Sequence, residues 1–223
     1  MATPLTEREM SVPIPVTREH DGSDPVPRRE IEPRPRSHGL SRVVNVVIAS
    51  AALVVAAPIM LVFAVLVKLT SPGPVFYSQP RVGIDRRRTP RNNPYDRRAR
   101  NLGGLPFMIY KFRSMYLNAE ANSGAVWATA GDPRITPVGR IMRKCRVDEL
   151  PQLINVIRGD MNIVGPRPER PVIFSRLSKD IAEYSLRQLA KPGITGWAQI
   201  NHRYDTCVDD VRTKVRYDLE YLE

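Results

Sequence analysis

The sequence predicts a mixed α/β fold, mainly helical: one membrane-associated domain with a single proline-broken, re-entrant membrane helix and amphipathic helices at the interface. Three observations lead there. An uncharged apolar run from Val46 to Val67 is as long as the hydrocarbon core of a bilayer requires of a helix. After it, amphipathic helical patterns alternate with short apolar stretches suited to strands. The 34 Lys and Arg residues against 23 Asp and Glu leave a net charge of +11, which favours an anionic partner: acidic lipid, a phosphorylated small molecule or nucleic acid.

Residues 1–39 hold seven of the 21 prolines and near-balanced charge, a composition that buries too little apolar surface to offset its ordering entropy. They read as a disordered, Pro-rich tail. The first apolar run starts only after this polar stretch and lacks a small-residue cleavage site, so no secretory signal is expected and the tail stays cytosolic.

Residues 40–70 form the membrane helix. Pro58, preceded by Ala57, lies near the middle of the run, where it removes a backbone hydrogen bond and crowds the preceding turn, so a bend is expected. Basic residues flank both ends: Arg36 and Arg42 before, Lys68, Arg81 and Arg86 to Arg88 after. The positive-inside bias therefore places neither end outside. A re-entrant helix satisfies both observations; a kinked span and a buried core helix are the alternatives.

Residues 71–223 form the remaining domain. Val75 to Gln79 reads as a short strand, and residues 85–103 as an Arg-rich insertion, either a solvated loop or a grip on anionic headgroups at roughly 1 kcal/mol per basic residue near the surface. "PFMIYKFRSM" is a buried strand running into a polar turn, and "ITPVGRIMRKCR" a helix with Ile141 and Met142 inward. "ELPQLINVIRGD" places Leu150, Leu153, Ile154 and Ile157 at helical spacing, with Pro151 in the first turn and Gly159 as the stop. "FSRLSKDIAEYSLRQLA" is an amphipathic helix, "KPGITGWAQI" a turn followed by a strand, and "VDDVRTKVRYDLEYLE" a final helix. The two cysteines, Cys145 and Cys207, have no CxxC spacing, and His20, His38 and His202 are scattered. A disulfide framework, a zinc site and a histidine-based triad thus have little to build on.

The chemistry centres on Asp148 and Glu149, adjacent acids after the basic run Arg140, Arg143, Lys144 and Arg146. Spacing alone favours a helix cap, since an acid there satisfies free amides and suits the helix dipole. The same position keeps a carboxylate ionised beside a surface that attracts phosphate. Lys111 and Arg113 suit phosphate oxygens, or form a solvated pair at a strand end. Arg167 is flanked by Pro166 and Pro168, which restrict its backbone. Trp197 reads as packing.

The blocks "KFRSM", "GRIMRKCRVDELPQLINVIRGDMNIVGPRPE" and "KPGITGWAQIN", in this order after a membrane helix with a central proline, resemble the bacterial sugar transferase family, the monotopic polyprenyl-phosphate phosphoglycosyl transferases. The resemblance runs from about Arg42 to the C-terminus. It implies transfer of a sugar 1-phosphate from a UDP-sugar donor to a polyprenyl phosphate acceptor, usually undecaprenyl phosphate, with release of UMP. It also implies Asp148 as the nucleophile of a covalent phosphosugar intermediate, and Mg2+ held by Asp148 and Glu149. Glu149 has a second option, positioning the acceptor phosphate. Lys111, Arg113, Arg167 and, shortly after "GWAQIN", Arg203 become phosphate or nucleotide contacts. The implied location is the cytoplasmic face of a bacterial inner membrane, against anionic headgroups, with no nucleic-acid partner.

Three departures stand out. Ala57 replaces the serine that the family usually pairs with the proline; the insertion at 85–103 occupies a position that is normally a short turn; and the family's further helical residues past "YDLEYLE" are missing, so part of the membrane-facing platform is expected to be absent. The rival readings are a non-enzymatic membrane-anchored basic adaptor, which explains the net charge but neither the acid pair nor the Pro-Arg-Pro turn, and an inactive partner of a transferase. The sequence specifies neither the sugar nor the oligomeric state.

Overall fold

Helix α1 (His38–Thr70) is the scaffold against which two of the three hydrophobic clusters form. In the computed structural model, which describes residues 38–85, 104–119, 131–202 and 208–223, it is followed by strands β1 (Phe76–Val82) and β2 (Pro106–Phe112) and helix α2 (Pro137–Lys144). A 3-10 turn (Val147–Glu149) leads into α3 (Gln152–Arg158), β3 (Asn162–Val164) and α4 (Pro171–Asp180). A second 3-10 segment (Tyr184–Leu189), β4 (Gly193–Thr195), α5 (Trp197–Asn201) and α6 (Val208–Leu222) complete the chain. The domain is mixed α/β and mostly helical, as expected. Residues 1–37 of the expected tail, residues 86–103 of the expected insertion, and Arg203 and Cys207 lie outside the described residues.

The 33 residues of α1 extend about 50 Å at about 1.5 Å per residue, and the helix is long and apolar enough to cross a membrane. The helix runs on through Ala57 and Pro58, where a proline break is expected from the sequence. A proline forfeits one amide bond, and the turns on either side can still carry the helix on. One stripe packs inward: Ala49, Ala52 and Leu53, then Met60, Phe63, Ala64 and Val67. The opposite face, including Val47, Val54, Val55, Leu61, Val62 and Leu69, is bare.

Both ends of this stripe are tied down. Arg42 donates to the carbonyls of Val156 and Ile157, the last turn of α3, where a cation suits the helix dipole. The Asn45 side-chain oxygen accepts from the Ile163 amide at 2.7 Å. At the far end Arg113 donates to the carbonyls of Ser71 and Pro72, both at 2.7 Å, and to the Ser71 hydroxyl at 2.8 Å. Gly73 makes that turn possible: its φ of 112° disfavours any side chain, and a Cβ there would lie 2.2 Å from the Arg113 guanidinium.

Strands β1 and β2 pair antiparallel from Phe76↔Phe112 to Val82↔Pro106, so β1 starts one residue later and runs three further than expected, with Pro80 accommodated in a two-stranded ribbon. β3 and β4 form a short parallel pair. The third cluster joins α4, the Tyr184–Leu189 segment and α6 through Phe174, Leu177, Tyr184, Val211, Val215 and Leu219.

Several expectations need correction. Ile141 is 57 % exposed, because the short α2 presents only Met142 and Gly139 to the interior. Ile154 also faces outward. The expected helix across Phe174 to Ala190 is broken where Ile181 is extended and the chain restarts as a 3-10 segment. In "KPGITGWAQI" the strand occupies Gly193–Thr195, and Trp197 opens a helix. Gly159 does terminate α3, in the left-handed conformation.

Candidate active site

The acid pair sits in the 3-10 turn before α3, and the turn begins with strain. Arg146 is in the left-handed region at φ 60°, ψ 16°, a conformation that costs a non-glycine residue roughly 1–2 kcal/mol. From there Val147, Asp148 and Glu149 are all carried inward. The expected helix cap is not made: α3 starts after Pro151 with no side-chain cap, and Asp148 Oδ1 is buried without a hydrogen-bond partner among the described residues. The reason is geometric, since Asp148 sits within the 3-10 turn, and Leu150 and Pro151 separate that turn from the free amides of α3.

Glu149 is bound differently. Its Oε1 accepts from Lys111 Nζ at 3.0 Å and from Arg167 Nη2 at 2.6 Å; Arg167 Nη1 reaches Oε2 at 3.4 Å, and Arg146 Nη1 lies 3.9 Å from Oε1. Burial alone acts to raise its pKa, but the charges and hydrogen bonds of Arg167 and Lys111 outweigh it and hold the carboxyl well below the ordinary range. Asp148 goes the other way: burial pushes its pKa up, with Glu149 adding to the rise, against opposition from Lys111. Burial likewise lowers Lys111, to about 8, with Arg167 adding to the fall and Glu149 opposing it. Two neighbouring carboxylates thus acquire divergent protonation behaviour, a common feature of catalytic pairs.

The supports of these side chains come from distant elements. Asn155 clips β2 to α3: its oxygen accepts from the Tyr110 amide at 3.0 Å and its nitrogen donates to the Met108 carbonyl at 2.7 Å, which sets Lys111 opposite Glu149. The Pro166–Glu169 turn is held by Arg81, donating to the Pro168 carbonyl at 3.2 Å and the Glu169 carboxylate at 3.1 Å. Arg187 donates to the Arg167 carbonyl at 3.1 Å, and is itself paired with Asp218 of α6 at 2.6 Å and bonded to the Tyr184 hydroxyl at 2.9 Å.

Of the residues singled out from sequence, Lys111, Asp148, Glu149 and Arg167 come together. Arg113 is instead buried with its hydrogen bonds directed to the exit turn of α1, where the Ser71 and Pro72 carbonyls accept from it. Ala57 and Pro58 lie on an exposed part of α1. Trp197 is half-exposed and its indole N–H donates to Glu220 at 3.0 Å. Sequence reasoning missed Arg81, Asn155, Arg187 and Asp218. Only Asp218 had a legible signal: it interrupts the apolar stripe Val211, Val215, Leu219, Leu222, and an acid in such a stripe needs a buried cation.

Gln152, one helical turn after Asp148, is also buried, and its amide nitrogen has no partner among the described residues. Those residues contain no group of three or more His, Cys, Asp or Glu side chains placed to hold a metal.

A family model described as bacterial sugar transferase matches residues 36–223. The chain is 41 % identical over 191 residues to a UDP-N-acetylgalactosamine-undecaprenyl-phosphate N-acetylgalactosaminephosphotransferase of Aeromonas hydrophila, covering 86 % of this chain and 41 % of that protein. It is 40 % identical over 185 residues to a UDP-glucose:undecaprenyl-phosphate glucose-1-phosphate transferase of Escherichia coli, covering 82 % and 36 %. A protein of the same description from Caulobacter vibrioides is 38 % identical over 201 residues, covering 89 % and 66 %. The chain therefore spans about two fifths of the length of the first two relatives. With a match over all but the first 35 residues, this chain belongs to the bacterial sugar transferase family.

Proposed function

We propose that this chain transfers a sugar 1-phosphate from a UDP-sugar to a polyprenyl phosphate, releasing UMP, by way of a phosphosugar carried on Asp148, and so initiates exopolysaccharide or glycoconjugate synthesis. The observation that carries this reading is the buried Oδ1 of Asp148, without a partner among the described residues, beside a Glu149 whose Oε1 is held by two cations. The relatives named above are phosphotransferases acting with undecaprenyl phosphate, which supports the reaction class.

In the first step an Asp148 oxygen attacks the sugar-bearing phosphorus of the donor; the phosphorus–oxygen bond to UMP breaks and UMP leaves with the electron pair. In the second, a phosphate oxygen of the acceptor attacks the same phosphorus and the Asp148 carboxylate is released. Splitting one displacement into two gives ping-pong kinetics. Two anions must meet, so Lys111 and Arg167 screen the approach, the first as a compact charge and the second as a planar fork. Glu149 keeps both cations aimed at the reacting oxygens.

Mg2+ is implied by the family, and the donor set fits it: the free Asp148 Oδ1 is a hard oxygen ligand, sufficient for an ion that usually takes one or two carboxylates and completes its shell with phosphates and water. Glu149 Oε1 is taken by Lys111 and Arg167, while Oε2 has only the 3.4 Å contact with Arg167 Nη1 among the described residues, so Oε2 is the oxygen Glu149 would lend to the ion. When bound, the ion neutralises diphosphate charge.

The same reading places α1 in one leaflet with the domain on the cytoplasmic face. Supporting this, the inward stripe of α1 rests on the domain from Ala49 to Val67 and is tied at Arg42 and at Ser71, both to the same body, while the opposite face is apolar and bare. A straight span would carry one end away from the domain. The soluble donor and the lipid acceptor then meet at the interface.

The test is rapid-quench measurement of UMP from UDP-N-acetylgalactosamine and UDP-glucose without acceptor. The expected result for the accepted donor is a burst equal to the enzyme present, with steady turnover only after undecaprenyl phosphate is added. UMP that appears only when both substrates are present contradicts the two-step route.

A further inference from the structure

A cleft of about 370 Å³ opens beside the acid pair, between the stretch running from Cys145 to Leu153 and the β4–α5 segment. Its apolar wall is Leu150, Leu153, Ile194 and Ile200, and Arg146 and Glu149 stand at its charged end. Among the described residues no aromatic ring lines it, so it has no stacking platform for a nucleotide base. Leu150, Leu153 and Ile194 belong to the same hydrophobic cluster as Ala49, Ala52 and Leu53 of α1, which makes the wall continuous with the surface on which the membrane helix docks. Ile200 is 61 % exposed and otherwise an uncovered apolar side chain at the rim.

We propose that this cleft seats the first isoprene units of the polyprenyl phosphate, with its phosphate at the Arg146 end and the rest of its chain leaving along α1 into the bilayer. The inference rests on the proposed acceptor. At about 30 Å³ per heavy atom the cleft holds roughly two isoprene units. Its two ends match such a molecule: the Arg146 guanidinium for the phosphate and a hydrocarbon wall for the chain. In the second half-reaction the acceptor oxygen then arrives beside Asp148 with the lipid already in register, forming its bond to phosphorus as the Asp148 oxygen–phosphorus bond breaks.

The test uses the full chain in nanodiscs and the variants Ile200→Ser and Ile200→Trp, which alter an exposed side chain. Intact mass follows adduct formation with UDP-sugar alone, then adduct discharge on adding undecaprenyl phosphate or geranyl phosphate. Both variants are expected to slow discharge to either lipid by about tenfold, the effect of losing one buried aliphatic contact or filling the cleft, while adduct formation stays within twofold. Wild-type discharge in both variants overturns the seat. Slowed adduct formation instead assigns the cleft to the donor and equally overturns it. Absence of any adduct in the wild type, by contrast, removes the two-step reading itself and the seat with it.

Discussion

Two clusters of buried charge lie within one domain and are finished differently. In the first, Arg187 donates to Asp218 at 2.8 Å through Nε and pairs with it at 2.6 Å through Nη2, bonds the Tyr184 hydroxyl, and lies over the Tyr184 ring at 4.9 Å. Neither residue contributes an unsatisfied buried atom. In the second, Glu149 Oε1 is likewise held by two cations, but Asp148 Oδ1 and Gln152 Nε2 are buried without partners among the described residues. A buried polar atom without a bond costs about 1–3 kcal/mol; Arg81 Nε and Arg113 Nε share that state, but among the described residues Asp148 Oδ1 is the one on a carboxylate, and it stands next to the cation-bound Glu149. The first cluster holds shape; the second holds an attacking group ready. They are joined at Arg167, whose carbonyl is held by the first and whose guanidinium serves the second.

The largest effect expected is on Asp148. Asp148→Asn should lower turnover by about a thousandfold or more. It should also leave the thermal midpoint unchanged or raised. The folded pKa lies above the unfolded value, so burying the charged form weakens the fold at pH values above that folded pKa, and asparagine removes that penalty. Loss of both activity and stability would mean that Asp148 supports the fold and the contrast between the clusters is wrong.

Breaking the saturated cluster should give the opposite pattern. Asp218→Asn leaves a buried guanidinium without its counter-charge and should cost about 3–5 kcal/mol by chemical denaturation, with activity falling less than in Asp148→Asn under folding conditions. Glu149→Gln should be intermediate in chemistry, lowering the rate of UMP release by about a hundredfold because Lys111 and Arg167 lose their anchor. Its stability effect has a definite sign. The depressed pKa gives a contribution that is present above the unfolded value of about 4.5 and lost as pH falls toward the folded one, so denaturation curves of wild type and Glu149→Gln should converge in acid.

The smallest effect concerns Lys111. With its pKa lowered to about 8, kcat/KM should fall above that pH, and Lys111→Arg should move the alkaline limb beyond pH 10. Because the unfolded lysine stays protonated to about 10.4, stability should rise from pH 8 to that point in the wild type and be flat in the variant.

Much of this arrangement was legible in the chain. The apolar run specified α1, the stripe from Val211 to Leu222 specified α6, and Gly159 marked the end of α3. Lys111, Asp148, Glu149 and Arg167 were recognisable from residue type and from the resemblance of their blocks. What stayed hidden depends on tertiary approach. Arg113 differs from Lys111 only by two positions along the same segment, yet the Gly73 turn brings carbonyls to it and the Asn155 clip brings Glu149 to Lys111. The Arg187–Asp218 pair spans 31 positions, across β4 and α5. The left-handed Arg146, which turns an apparent helix cap into an inward-facing pair of acids, has no signature in residue type, since glycine or asparagine would be expected there.

The central claim is that Asp148, whose Oδ1 is buried without a partner among the described residues, is the carboxylate that reacts. Peptide mapping by mass spectrometry after incubation with UDP-sugar alone tests it most directly. The account predicts a sugar-phosphate adduct on Asp148 that survives in Glu149→Gln at a reduced rate of formation and is absent in Asp148→Asn. An adduct on Glu149, or one that persists in Asp148→Asn, would contradict it.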